Sequence, residues 1–104
     1  MPILHIVTIK WKPEVTEADV QAATDFLVEM RQQIPEIKSY ILGPNLHLRP
    51  AGADFGFAAI VETPEDLDTY LDHPLHLEAY AKHLSKMVAE RNAVQLSIES
   101  GTLL

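Results

Sequence analysis

Two stretches of this chain are apolar on both sides when read as strands, and that restricts what it can fold into. In residues 3–11, Ile-Leu-His-Ile-Val-Thr-Ile-Lys-Trp, one face carries Ile3, His5, Val7, Ile9 and Trp11, and the other carries Leu4, Ile6 and Thr8. β-Branched residues dominate the run and Lys12-Pro13 closes it, as a strand requires. In residues 55–61, Phe55, Phe57, Ala59 and Val61 share one face, and Ala58 and Ile60 the other. A strand with one wet side alternates apolar with polar residues. These two do not, so each needs a cover on both sides.

The rest of the chain supplies one cover. Thr16-Glu17-Ala18-Asp19 reads as a capping box with Asp in place of Glu. The helix after it sets Val20, Ala23, Leu27, Met30 and Ile34 in one apolar stripe, and Pro35 ends it. A second strand is expected over 37–42, interrupted by Gly43-Pro44-Asn45 and free to resume through His47, with a turn-rich loop from Arg49 to Asp54. Thr63-Pro64-Glu65-Asp66 starts a short helix that turns Leu67, Tyr70 and Leu71 inward. His73-Pro74 breaks it and opens another, with Leu77, Tyr80, Ala81, Leu84, Met87 and Val88 expected on one face. The last strand is expected over 93–98, where Val94, Leu96 and Ile98 alternate with polar residues.

The order is β-α-β-β-α-β, a ferredoxin-like α+β arrangement, in one domain spanning 1–104. Helices cover one face of such a sheet. The other would leave several hundred Å² of apolar surface in water, so a two-fold homodimer is expected, its open faces packed into a dimeric α/β barrel. Any room left between the sheets would be an apolar cavity for a small apolar ligand.

Charge and composition narrow the function. With 8 basic and 15 acidic residues the net charge is -7, a poor fit to nucleic acid or an anionic membrane surface. The absence of Cys removes thiolate chemistry and Cys-based zinc sites, and fits a cytoplasmic location. There is no phosphate-binding glycine loop and no Ser-centred elbow. His76 and His83 lie two turns apart, too far to share a metal without other elements, so neither metal nor cofactor is expected.

The strand His5-Ile-Val-Thr-Ile-Lys-Trp-Lys12, Thr16, Gly56-Phe57 and above all Tyr70-x-x-His73-Pro74-x-His76 resemble the stress-responsive dimeric A/B barrel family. That family contains plant stress-induced proteins, bacterial members of unknown role and a plant polyketide cyclase. The resemblance implies that Tyr70 and His76 match the cyclase's catalytic pair, and His5 a histidine of its cavity. A further cavity histidine of the cyclase is replaced by Ala59. Val7, Phe57 and Ala59 would then line the substrate site beside His5.

Aldol cyclisation needs a base for a proton α to a carbonyl and a donor for the developing oxyanion. A neutral His76 and the Tyr70 hydroxyl suit those tasks, and no cofactor is required. The plainer readings are a histidine satisfied in a core, a core tyrosine bonded to backbone, and His73 as a cap. The candidate functions are therefore a cofactor-free cyclase or lyase acting on an apolar or aromatic carbonyl compound, a non-catalytic stress-responsive oligomer, or an accessory module. Catalysis requires a cavity that reaches both Tyr70 and His76.

Overall fold

In a computed structural model, which describes residues 1–98, the chain forms one four-stranded antiparallel sheet with helices on a single face. The elements are β1 (Ile3–Trp11), α1 (Glu17–Gln33), β2 (Ser39–Pro44), β3 (Phe55–Val61), α2 (Pro64–Leu71), α3 (Pro74–Ala79) and β4 (Val88–Ser97). A π-helical turn (Tyr80–Leu84) and a last helical turn (Ser85–Met87) carry α3 on to β4. The sheet order is β2-β3-β1-β4, so the two doubly apolar strands lie side by side in its middle.

Local chemistry explains the helix starts. Thr16 and Asp19 form a reciprocal capping box, and the Thr63 hydroxyl accepts the Asp66 N–H at 3.0 Å. The α1 stripe buries Ala23, Leu27, Met30 and Ile34 against the sheet.

Three boundaries differ from the expectation. β2 starts two residues late, because Ile37 is still held in the turn after Pro35 through its N–H to the Ile34 carbonyl. It also runs through Gly43-Pro44, which an edge strand tolerates because its outer N–H positions need no partner, and it does not resume through His47, whose N–H is turned onto the Asn45 side-chain oxygen. The last strand begins at Val88, five residues before the expected start, so Val88 belongs to the sheet. The helical face is also misjudged: Leu77 is 57% exposed while His76 and Ala79 are buried. The π turn, closed by the Ser85 N–H on the Tyr80 carbonyl, adds a residue to the repeat. The inward column becomes His76, Ala79, Leu84 and Met87, and Ala81 turns to water.

The two sheet faces are unlike. The odd residues of β1 and β3 are buried under the helices, from Ile3 to Ile9 and from Phe55 to Val61. The opposite face has no cover among the described residues. Leu4, Ile6, Ala58 and Ile60 are half-buried there, Ile41 is 72% exposed, and Val94 and Leu96 are also exposed. A hollow of about 350 Å³ on that face lies among Ile6, Ile41, Gly43, Gly56 and Ala58. The apolar side of β4 thus faces away from the helices, and its polar side, with Gln95, faces the side that the helices occupy.

Candidate functional site

Register brings the polar residues together. Tyr40 on β2 pairs with Ala59 on β3, Ala59 with His5 on β1, and His5 with Gln95 on β4. These four residues make one row across the helix side of the sheet. Tyr70 comes down from α2 into the core cluster that contains Ala59. Its ring stands edge-on to His5, with centroids 6.1 Å apart, and edge-on to His76 at 5.2 Å. His76 in turn meets Tyr80 at 5.6 Å. Such edge contacts are worth about 0.5–1.5 kcal/mol beyond the area buried.

Two sequence expectations are corrected by this placement. The candidate residues lie between the sheet and its own helices, and do not line a chamber between two sheets. The odd face of β1 and β3 is the one that the amphipathic helices cover, and its alternation carries every candidate with it. Val7 and Phe57 are also displaced from the pair. They face each other one row along, in a second core cluster with Ile9, Phe55 and Leu84. His5, Ala59, Tyr70 and His76 are brought together; Phe57 packs at a tilt against Tyr40, with ring centroids 6.1 Å apart.

Hydrogen bonds set the ring tautomers. The His76 Nδ1 lies 2.8 Å from the Leu71 carbonyl oxygen. A carbonyl only accepts, so Nδ1 carries the proton and Nε2 holds the basic lone pair. The Gln95 amide nitrogen is 2.8 Å from His5 Nδ1, which makes Nδ1 the acceptor and places the proton of the neutral ring on Nε2. His73 plays the plain role of N-cap to α3, its Nδ1 accepting the Leu75 N–H at 3.0 Å.

Three side-chain atoms of this region, His5 Nε2, Tyr40 Oη and Tyr70 Oη, are buried without a well-formed hydrogen bond among the described residues, although the two phenol oxygens are close enough to act on each other. Buried polar groups are nearly always paired. Tyr70 is 0% and His5 1% exposed, while His76 is 9% exposed. The helices stop short of β4, so Arg91, Ala93 and Gln95 stay exposed at its edge. The Arg91 guanidinium lies 6.0 Å from the centre of the Tyr80 ring and has no ion-pair partner among the described residues. Tyr40, Gln95, Tyr80 and Arg91 are missing from the sequence expectation. The alternation expected over 93–98 places Gln95 on the polar side of that strand, and nothing in it points to Arg91.

Burial and charge act in one direction on the histidines. Desolvation lowers the His5 pKa, helped by the Arg91 charge and by His76. Burial lowers the His76 pKa too, and the Arg91 charge adds to it, against the raising effects of the Leu71 carbonyl and Asp72. Burial pushes Tyr70 up to about 12 and raises Tyr40 further. At neutral pH both rings are uncharged and both phenols keep their protons.

A pH dependence of stability follows. The unfolded histidines titrate near their ordinary value of about 6.5, above the depressed folded values. Below that pH the unfolded state binds more protons, so stability is fully present above it and is lost as pH falls through the folded pKa values. The urea midpoint should therefore be lower at about pH 5 than at about pH 7.5, and the difference should shrink in a His5→Gln, His76→Asn double variant. A midpoint that stays level over this window would contradict the assignment of two buried neutral rings.

The architecture is that of a ferredoxin-like fold. Residues 3–98 match the family described as the stress responsive A/B barrel domain, and the chain belongs to that family. A dimeric ferredoxin-like protein of unknown function from Thermobifida fusca is 34% identical, with a TM-score of 0.88, over 94% of this chain and 92% of the other. A family member from Mesorhizobium loti superposes with a TM-score of 0.79 at 14% identity, over 92% of this chain and 95% of its own. The hydroxynitrile lyase of Passiflora edulis does so with a TM-score of 0.83 at 15% identity, covering 98% of this chain and 97% of the lyase. No curated protein matches the sequence. No helix among the described residues is long and apolar enough to cross a membrane.

Proposed function

We propose that the protein is a homodimer in which each protomer binds a small apolar or aromatic carbonyl compound between its helices and its sheet, and acts on it by cofactor-free acid/base chemistry. Two lines support the dimer. The uncovered sheet face is apolar from Leu4 to Leu96, and the relative at 34% identity is described as dimeric.

The observation that carries the chemistry is the protonation pattern around Tyr70. His76 presents a basic Nε2 because its other nitrogen is tied to the Leu71 carbonyl. Tyr70 and His5 present unpaired donors beside it. In an aldol cyclisation, His76 Nε2 takes the α-proton while the donors hold the enolate oxygen. The α-carbon then bonds to a second carbonyl carbon of the same chain, and the resulting alkoxide takes the proton back from the imidazolium. Protons and electrons balance without an oxidant or a metal.

The test is cyclisation of a linear polyketide thioester by the purified dimer. Cyclic product should form faster than in buffer alone, and no acceleration would sink the reading. The complete burial of Tyr70, which together with His76 is absent from the lining of the five hollows seen at the surface of the protomer, favours a second reading, a non-catalytic stable oligomer. That reading predicts no ligand-induced rise in melting temperature, whereas a bound ligand raises it by mass action.

A further inference from the structure

Tyr40 has no role in the chemistry above, yet its hydroxyl shares the condition of Tyr70 and His5: buried, with no well-formed hydrogen bond among the described residues. The three groups belong to one neighbourhood. Tyr40 and His5 flank Ala59 in the same cross-strand row. The strands are about 4.8 Å apart, and within that row the Ala59 methyl stands between them. Tyr70 packs with Ala59 in one cluster, and Tyr40 packs against that cluster. With only a methyl at 59, donors from β1, β2 and α2 converge on that position.

Resting on the reading above, we propose that Tyr40, Tyr70 and His5 form a three-donor oxyanion site over Ala59, and that the compounds bound there are enols and phenols held by their acidic oxygen. Every group is a donor in its neutral state. The two phenols contribute O–H, and His5 contributes Nε2–H because the Gln95 amide occupies Nδ1. Preorganised donors in a dry setting favour an anionic oxygen over a neutral one. The Arg91 charge, which lowers the pKa of both His5 and Tyr70, favours an anion too. A site of this kind leaves its donors unpaired when empty, so it lowers the stability of the free protein in exchange for binding.

The experiment uses 4-nitrophenol, whose anion absorbs at longer wavelength than its acid, and 4-nitroanisole, which has the same ring and no acidic proton. The wild-type protein should bind 4-nitrophenol with a raised anion fraction, and 4-nitroanisole more weakly. Tyr40→Phe should weaken 4-nitrophenol binding about tenfold, the loss expected for one hydrogen bond to a charged oxygen. It should reduce the anion fraction and leave 4-nitroanisole affinity unchanged. Tyr70→Phe should do the same. Equal weakening of both probes would make Tyr40 a packing residue and overturn the proposal. Unchanged 4-nitrophenol binding in Tyr40→Phe would remove Tyr40 from the site and leave the wider reading standing. If neither probe binds the wild-type protein, the proposal and the proposed function fall together.

Discussion

His76→Asn is expected to slow cyclisation by roughly 10²–10⁴-fold, the range for removing a positioned base. Asparagine is the informative choice because its amide N–H sits where His76 Nδ1–H does and can still donate to the Leu71 carbonyl. The anchor at the end of α2 is then kept, the lone pair of Nε2 is lost, and the melting temperature should move little. Alanine would remove both and leave that carbonyl without its partner. The pH profile is a second check. The depressed His76 pKa keeps the base neutral below the ordinary histidine range, so the wild-type rate should hold its plateau as pH falls to about 6.5 and drop only at more acid values. Equal rates for His76→Asn and wild type would remove His76 from the chemistry.

Ile6→Asp should convert the dimer into monomer. Ile6 is on the central strand β1, facing Ala58 on one side and Val94 on the other, and it points away from the helices. Burying an unpaired charge costs roughly 3–5 kcal/mol, and a two-fold interface meets the same charge twice. The dissociation constant should therefore rise on the order of 10⁴-fold or more. The protomer's own core lies on the other face, so its circular dichroism should be preserved. Sedimentation equilibrium checks the outcome, and a dimer of wild-type strength would mean that the open face is not the interface.

The parts of the fold legible in sequence were those fixed by local chemistry. The Thr16 and Thr63 caps, the proline stops and the alternation of β1 and β3 each act over a few residues. Features set by the assembled sheet were hidden. Pro44 continues β2 only because that strand is an edge. The π turn at Tyr80–Leu84 rotates the apolar column, so Leu77 faces water in place of His76. The candidate site shows the same division. His5, Tyr70 and His76 came from a motif resemblance. Tyr40 and Gln95 became visible only with register, since Gln95 lies 90 residues from the His5 it orients. The side of the sheet was also misjudged: two apolar faces announce that both must be covered, but the chain's own pattern does not say which face keeps the histidine.

The central claim is that the sheet divides its labour, one face joining two protomers and the other holding a separate site in each. Calorimetric titration of the intact dimer with 4-nitrophenol measures this directly. One probe bound per chain is the predicted stoichiometry. One probe per dimer would place the ligand on the two-fold axis between the sheets and contradict the account.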